Sequence, residues 1–143
     1  MAKANVNDIN RITGVFKDIK ADLRDFTDRE VIRYVLTLRN ILVSEPPDGT
    51  PVDIGWASNN WWFDQGQPAN SPDTPTGNVE ASKARIEQDT VTISSIKVNG
   101  QELHITNNVP YIGVLNGGSS TQTPSGFVER AILKAGIMVR FNQ

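Results

Sequence analysis

Chemistry in a protein starts from groups that can give up a proton, hold a metal or attack a carbon, and this chain is poor in them. It has one histidine, His104, and no cysteine. A Ser-His-Asp triad would have to be built on that imidazole. It stands in Leu103-His104-Ile105, which on a strand turns it away from the apolar face, so we read an ordinary surface or edge histidine. Thiolate metal sites and disulfides are ruled out. Asp48, Asp53 and Asp64 lack the alternating oxygen-ligand spacing of a calcium loop. No acid falls on a strand we predict as apolar, where burial would raise its pKa. Gly113, Gly117 and Gly118 do not form a phosphate cradle of the GxGxxG or GxxxxGK[ST] kind. These readings imply no catalytic residue, no cofactor and no metal, and a protein that is not an enzyme.

The aromatic residues Trp56, Trp61, Trp62 and Phe63 form the other notable cluster. Bare aromatic faces stack on bases or sugars, but nucleic-acid stacking comes with interleaved Lys or Arg. Residues 46–80 hold five acids (Asp48, Asp53, Asp64, Asp73, Glu80) and no base. A solvated acidic loop, with part of the aromatic cluster in the core and the rest at a subunit interface, is the reading we adopt. A carbohydrate- or nucleic-acid-binding module remains the alternative from another class, and a small hydrolase is the least supported.

The elements that must position these groups follow from periodicity. The chain has 143 residues, 38% hydrophobic and 21% charged, with a net charge of −2. That suits one soluble domain over residues 1–143, with no apolar run long enough to span a bilayer and no secretory signal. Ile9, Ile12, Phe16, Ile19, Leu23 and Phe26 recur at alternating gaps of three and four, predicting an amphipathic helix. Thr27-Asp28-Arg29-Glu30 reads as a capping box that starts a second helix, from about Asp28 to Val43. That second helix is apolar on more than one face, which predicts deep burial or contact with another subunit. Pro46-Pro47 and Asp48-Gly49 force a turn. An extended loop is expected over 65–78, reaching a neighbouring subunit.

Val79–Gln88 reads as a short polar helix. Val91, Ile93, Ile96 and Val98 suggest a strand, joined through an Asn99-Gly100 hairpin turn to a second strand over Glu102–Thr106; the alternative is a helix continuing to about Ser95. Pro110 suits the first turn of a short helix capped by Asn108 and stopped by Gly117-Gly118. A final helix follows Gly126. The fold class expected is α+β: long N-terminal helices and a C-terminal helix packed on a small, mostly antiparallel sheet.

One long motif carries more specific information. Asn107-Asn108-Val109-Pro110-Tyr111, Leu115-Asn116-Gly117-Gly118-Ser119 and Gln122-Thr123-Pro124-Ser125-Gly126-Phe127-Val128 together resemble the pattern NNxPYAxxLxxGxSxQAPxGFV. Pro51-Val52-Asp53-Ile54-Gly55 resembles a PVDTG element, with Trp61 similar to an aromatic that follows it. Both belong to a bacteriophage minor tail or tail-completion (neck) protein family of long-tailed phages. Ile54 replaces the usual Thr, which removes a hydroxyl at that turn, and Thr123 replaces the usual Ala.

The resemblance implies a structural virion protein of the head-to-tail junction, assembled in the host cytoplasm. It implies a ring of identical copies, commonly a hexamer, that completes or terminates the tail tube. Its partners would be the tail-tube protein, the head connector or stopper protein and, in a contractile tail, the sheath protein. Genomic DNA would pass through without specific binding, helped by an acidic 46–80 segment on the lumen wall, and no membrane would be involved. A head-completion adaptor or stopper bound to the portal is the alternative reading. The motif residues Pro51, Val52, Asp53, Gly55, Trp61, Trp62, Asn107, Asn108, Pro110, Tyr111, Leu115, Gly118, Ser119, Gln122, Pro124, Gly126 and Phe127 would then shape the protein and its subunit contacts.

Overall fold

A computed structural model describes residues 6–72 and 79–141. The element order is α1 (Val6–Leu42), β1 (Trp61–Gln65), α2 (Val79–Ser94), β2 (Leu103–Asn107), α3 (Ile112–Asn116) and α4 (Phe127–Phe141). This is the α+β class expected, with a long N-terminal helix, a C-terminal helix and a two-stranded antiparallel sheet. No helix among the described residues is long and apolar enough to cross a membrane.

The two expected N-terminal helices are one. The capping box at Thr27 does not form. The Thr27 hydroxyl instead donates to the Leu23 carbonyl, 2.7 Å away, in the preceding turn. Asp28, the next residue, is buried and accepts a 2.6 Å bond from the Val98 amide and an ion pair from Lys97 at 3.1 Å. A distant partner thus takes the acid that local logic assigned to a helix start, and the backbone runs straight through.

The core lies where the second half of α1 meets everything else. Val35, Leu38, Ile41 and Leu42 join Trp61, Phe63, Ile93, Ile96, Phe127, Ala131 and Ala135. The apolar excess of residues 31–43 is thereby used inside the chain, so the subunit contact suggested for it is not needed. The small residues Ala131 and Ala135 let α4 lie close along α1. The Tyr34 hydroxyl donates to the Ile132 carbonyl across this seam at 3.3 Å.

The sheet pairs Trp61 with Asn107 through Gln65 with Leu103. The Glu102–Thr106 strand therefore exists, but its partner is the aromatic run at 61–65. The expected strand over 91–98 is helix up to Ser94, followed by turns in which the Ile96 amide bonds the Ile93 carbonyl at 3.1 Å. Ile93 and Ile96 are spaced to face one side of a helical turn, and both are buried. The stretch 66–72 is irregular, and the rest of the expected 65–78 loop, 73–78, lies outside the described residues.

The Asp28–Val98 contact gives a pH prediction. The Val98 amide, aided by Lys97, holds the Asp28 carboxyl below the ordinary aspartate range. A lowered folded-state pKa contributes stability that is present above the unfolded value, about 3.9, and fades as pH falls toward the folded one. Asp28→Asn is therefore expected to lower the urea midpoint at pH 7, with the gap to wild type narrowing as the pH falls below about 4. A gap that stays constant at every pH down the acid limb would contradict this origin.

Candidate functional site

The motif residues come from two stretches of the chain, 51–62 and 107–127, which meet around Val52 and Gln122. Thr50 is fully buried and organises the first stretch. Its hydroxyl donates to the Leu42 carbonyl at 2.7 Å and accepts the Trp61 indole N–H at 2.9 Å. This fixes where Pro51-Val52-Asp53-Ile54-Gly55 leaves the end of α1. Gly55 has φ +82°, and its carbonyl accepts the Asn59 amide and the Ser58 hydroxyl. A side chain at that φ would be strained, so the last position of the PVDxG turn has a steric reason to be glycine.

The second stretch is clamped onto the first. The Gln122 side chain accepts from the Val52 amide at 2.8 Å and donates to the Val52 carbonyl at 2.9 Å. One amide group thus imitates a strand partner for Val52. The Thr123 hydroxyl donates to the Gly49 carbonyl at 3.1 Å. Pro51, Val52, Asp53 and Gly55 line a shallow cleft of about 200 Å³ together with Tyr111, Leu115 and Gln122. Tyr111 packs edge-on against Trp56 with ring centres 5.7 Å apart. Burial, and then the Asp53 carboxylate, push its phenol above the ordinary value. The cleft is below the ~300 Å³ at which small-molecule sites usually begin.

The remaining motif residues are structural in visible ways. Asn107 donates to the Ala57 carbonyl at 2.8 Å and accepts the Val109 amide at 3.2 Å. Asn108 does not cap α3 as expected. It donates instead to the Ala69 carbonyl at 2.8 Å, and the residue before α3 is Tyr111, with no side-chain cap. Pro110 lies just ahead of that helix, whose first turn is closed by the Ile112 amide on the Val109 carbonyl. Gly118, φ +93°, ends it, and the Ser119 amide returns to the Val114 carbonyl. A Cβ on Gly118 would come within 2.9 Å of the Ser125 Cβ. The Pro124 carbonyl accepts the Arg130 guanidinium at 3.0 Å. Gly126 and Val128 bond to the carbonyl and side chain of Asn116, and Phe127 is fully buried.

Gln122→Ala should therefore act locally. It removes both bonds to Val52 from an exposed site, for a loss of about 1–2 kcal/mol. Hydrogen exchange at the Val52 amide should quicken while α1 and α4 stay protected. An unchanged Val52 rate would mean that the clamp holds nothing.

The aromatic cluster is divided. Trp61 is buried in the core, and Trp62 is covered by the Arg85 guanidinium, 3.6 Å from its ring centre. Trp61 therefore offers no free face for a base or sugar, and Arg85 takes one face of Trp62. On the face of the sheet away from Trp61 and Phe63, Trp62 and Asp64 stand opposite Thr106 and His104. Asp64 thus sits on a strand, which the sequence reading did not foresee because it read no strand at 61–65. His104 is half-buried, 3.6 Å from the Glu102 carboxylate. Trp62 Nε1, Asp64 Oδ2, His104 Nε2 and Thr106 Oγ1 are buried without a hydrogen-bond partner. Among the described residues no three His, Asp or Glu side chains converge as a metal shell would require.

The acidic segment is not one surface. Asp48 pairs with Lys134 of α4 at 2.6 Å, Asp64 is in the sheet, and Asp53 is exposed beside Tyr111. Among the described acids of 46–80, Asp48, Asp53 and Asp64 thus have three different surroundings; Asp73 lies outside the described residues. Periodicity also missed Asp89, which lies between Arg39 at 3.4 Å and Arg85 at 2.9 Å. The motif face exposes apolar Val52, Ile54, Tyr111 and Val114 beside polar Asp53, Ser119 and Gln122. Such a shallow, hydrogen-bonded and partly apolar rim suits contact with another macromolecule better than turnover of a substrate. Compared with known proteins, the chain matches no family model, no curated protein and no solved structure.

Proposed function

We propose that this chain is a non-enzymatic structural protein of the head-to-tail junction of a long-tailed phage. It forms a ring, six-fold in our reading, that completes or terminates the tail tube and joins it to the head connector. The observation that carries the proposal is the motif face. Part of the pattern, residues 52–55 with Tyr111 and Gln122, is tied by Gln122, Thr123 and Thr50 into one surface, while Pro51, Trp61 and Phe127 are buried beneath it. The residues of that surface do not surround a reactive group.

Two further features support it. A closed ring needs two different patches per subunit that fit each other and not themselves. The motif face exposes Val52, Ile54, Tyr111 and Val114, and the side of α4 away from Ala131 and Ala135 exposes Leu133, Ile137 and Phe141. These lie on separate parts of the body and are candidates for the two halves of a heterologous contact. Packaged DNA would cross the lumen without specific binding.

The test is electron microscopy of purified tail tubes mixed with the purified chain. Rings seated on one end of each tube are the expected result. Binding to isolated portals and not to tubes would move the protein to the head side of the junction. Binding to neither would end the reading.

A further inference from the structure

Among the described residues nothing buries the first half of α1, although Val98 borders a groove beside Phe16, Ile19 and Leu23, and Leu103 and Ile105 border one beside Phe26. Every residue from Asp8 to Thr27 is exposed. Yet Ile9, Ile12, Phe16, Ile19, Leu23 and Phe26 form an apolar stripe, between 48% and 68% exposed. Their gaps of three, four, three, four and three are a heptad seam, the spacing of helices that wind around each other. A lone helix showing such a seam to water over about 27 Å is unfavourable unless something covers it.

The position of α4 limits what that cover can be. At ~100° per residue, the stripe points along the same side of α1 as Tyr34 and Ile41, and about 120° from Val35 and Leu42. Tyr34 and Ile41 are the residues that meet α4. The Tyr34 hydroxyl bonds the Ile132 carbonyl, its ring lies beside Gly136, and Ile41 shares a groove with Ala131 and Ile137. So α4 runs antiparallel to α1 on this face. Its described part reaches Phe141, about 7.5 Å beyond Gly136 and thus near the level of Arg29.

We propose that a second copy of this chain covers the stripe, the two α1 arms pairing antiparallel about a two-fold axis. Ile9 of each copy then faces Phe26 of the other, Ile12 faces Leu23, and Phe16 faces Ile19. Each phenyl meets an isoleucine, and all six seam positions are filled. The flanking charges do not clash, because Asp22 faces Val15 and Lys20 faces Thr13. A parallel pair is blocked. The partner's residues beyond Phe26 would continue along the face that α4 occupies, and Phe16 and Phe26 would meet their own copies. With roughly 90 Å² hidden per seam residue, the pair buries on the order of 1,100 Å², just above what a specific interface needs. The pairing does not depend on the neck reading. Beside a ring contact made by the body, it would join two subunits or two rings.

The absence of cysteine makes the register directly testable. Sedimentation of the full chain at about 100 µM should give twice the chain mass, or a multiple of it, and Ile19→Asp should reduce that mass by half with the tryptophan spectrum of the body unchanged. Mild oxidation of a mixture of Ile12→Cys and Leu23→Cys chains should give the mixed disulfide, because disulfides form only between Cα atoms within about 7 Å. Ile12→Cys alone should stay reduced. A disulfide from Ile12→Cys alone would mean parallel arms and overturn the proposal. So would a monomer at 100 µM, or an oligomer whose mass Ile19→Asp leaves unchanged.

Discussion

Replacing Asp89 by Asn is expected to cost the fold about 3–5 kcal/mol, more than any surface change in the molecule. Asp89 is 5% exposed and is shared by two guanidiniums, Arg39 from α1 and Arg85 from its own helix. Burial pushes its carboxyl up against the pull of both arginines, which marks how dry the site is. Arg39 is itself only 5% exposed. Asn keeps one acceptor oxygen but no charge, so the buried Arg39 guanidinium loses its counter-ion and keeps neutral oxygens such as that of Asn40 at 3.2 Å. The change also takes an ion pair from Arg85, which holds α2 to the sheet through the Trp61 carbonyl at 3.1 Å and the face of Trp62. A thermal melt should fall on the order of 10 °C. The double change Arg39→Met with Asp89→Leu should recover much of this, since a buried ion pair is replaced more cheaply than it is broken. A melt within 2 °C or so of wild type for Asp89→Asn would show that the network is not under the strain of burial described above.

Phe127→Ala is expected to be nearly as severe, at about 3–5 kcal/mol, because a fully buried phenyl leaves a cavity that a helix start cannot collapse into. Phe127 has no exposed surface and belongs to the cluster with Leu42, Trp61 and Phe63. It is also the first residue of α4, set by the positive φ of Gly126 and by Asn116, whose carbonyl and side-chain oxygen accept the Gly126 and Val128 amides. The motif that carries the family resemblance therefore ends on a core residue. Denaturant unfolding should show the lost stability, and Phe127→Leu should lose less than half as much. Equal losses for Ala and Leu would point to ring-specific contacts in place of filled volume.

The sequence made some of this legible and hid the rest for definite reasons. The three-four spacing of Ile9 to Phe26 marked a helix correctly, and Gly117-Gly118 marked where α3 ends. Continuity through Thr27 was hidden, because the capping box is a local signal and Val98, seventy residues away, decides where Asp28 points. The strand at Trp61–Gln65 was hidden by a five-residue length and by a partner forty residues downstream. Ile93 and Ile96 fit a strand or a helix end equally well until the core chose. The motif residues were found by their resemblance, but their convergence depends on Gln122 reaching the Val52 backbone across seventy residues. Likewise Arg39 and Asp89, fifty apart, give no local sign of each other.

The exposed apolar surface also lies elsewhere than composition suggested. The second half of the N-terminal segment looked the better subunit contact, since it is apolar all round. The structure spends those residues on the core and leaves the stripe of the first half bare. The exposed apolar surface is therefore on the arm, on the side of α4 that carries Leu133, Ile137 and Phe141, and on the motif face.

The central claim, a structural role at the head-to-tail junction, is tested most directly by gold-labelled antibody against this chain on particles from a host that produces them. The account predicts label confined to the neck, between capsid and tail, on intact virions and at one end only of free tails. Label along the tube, at the distal tip or on the capsid faces, or none on purified particles, would contradict it.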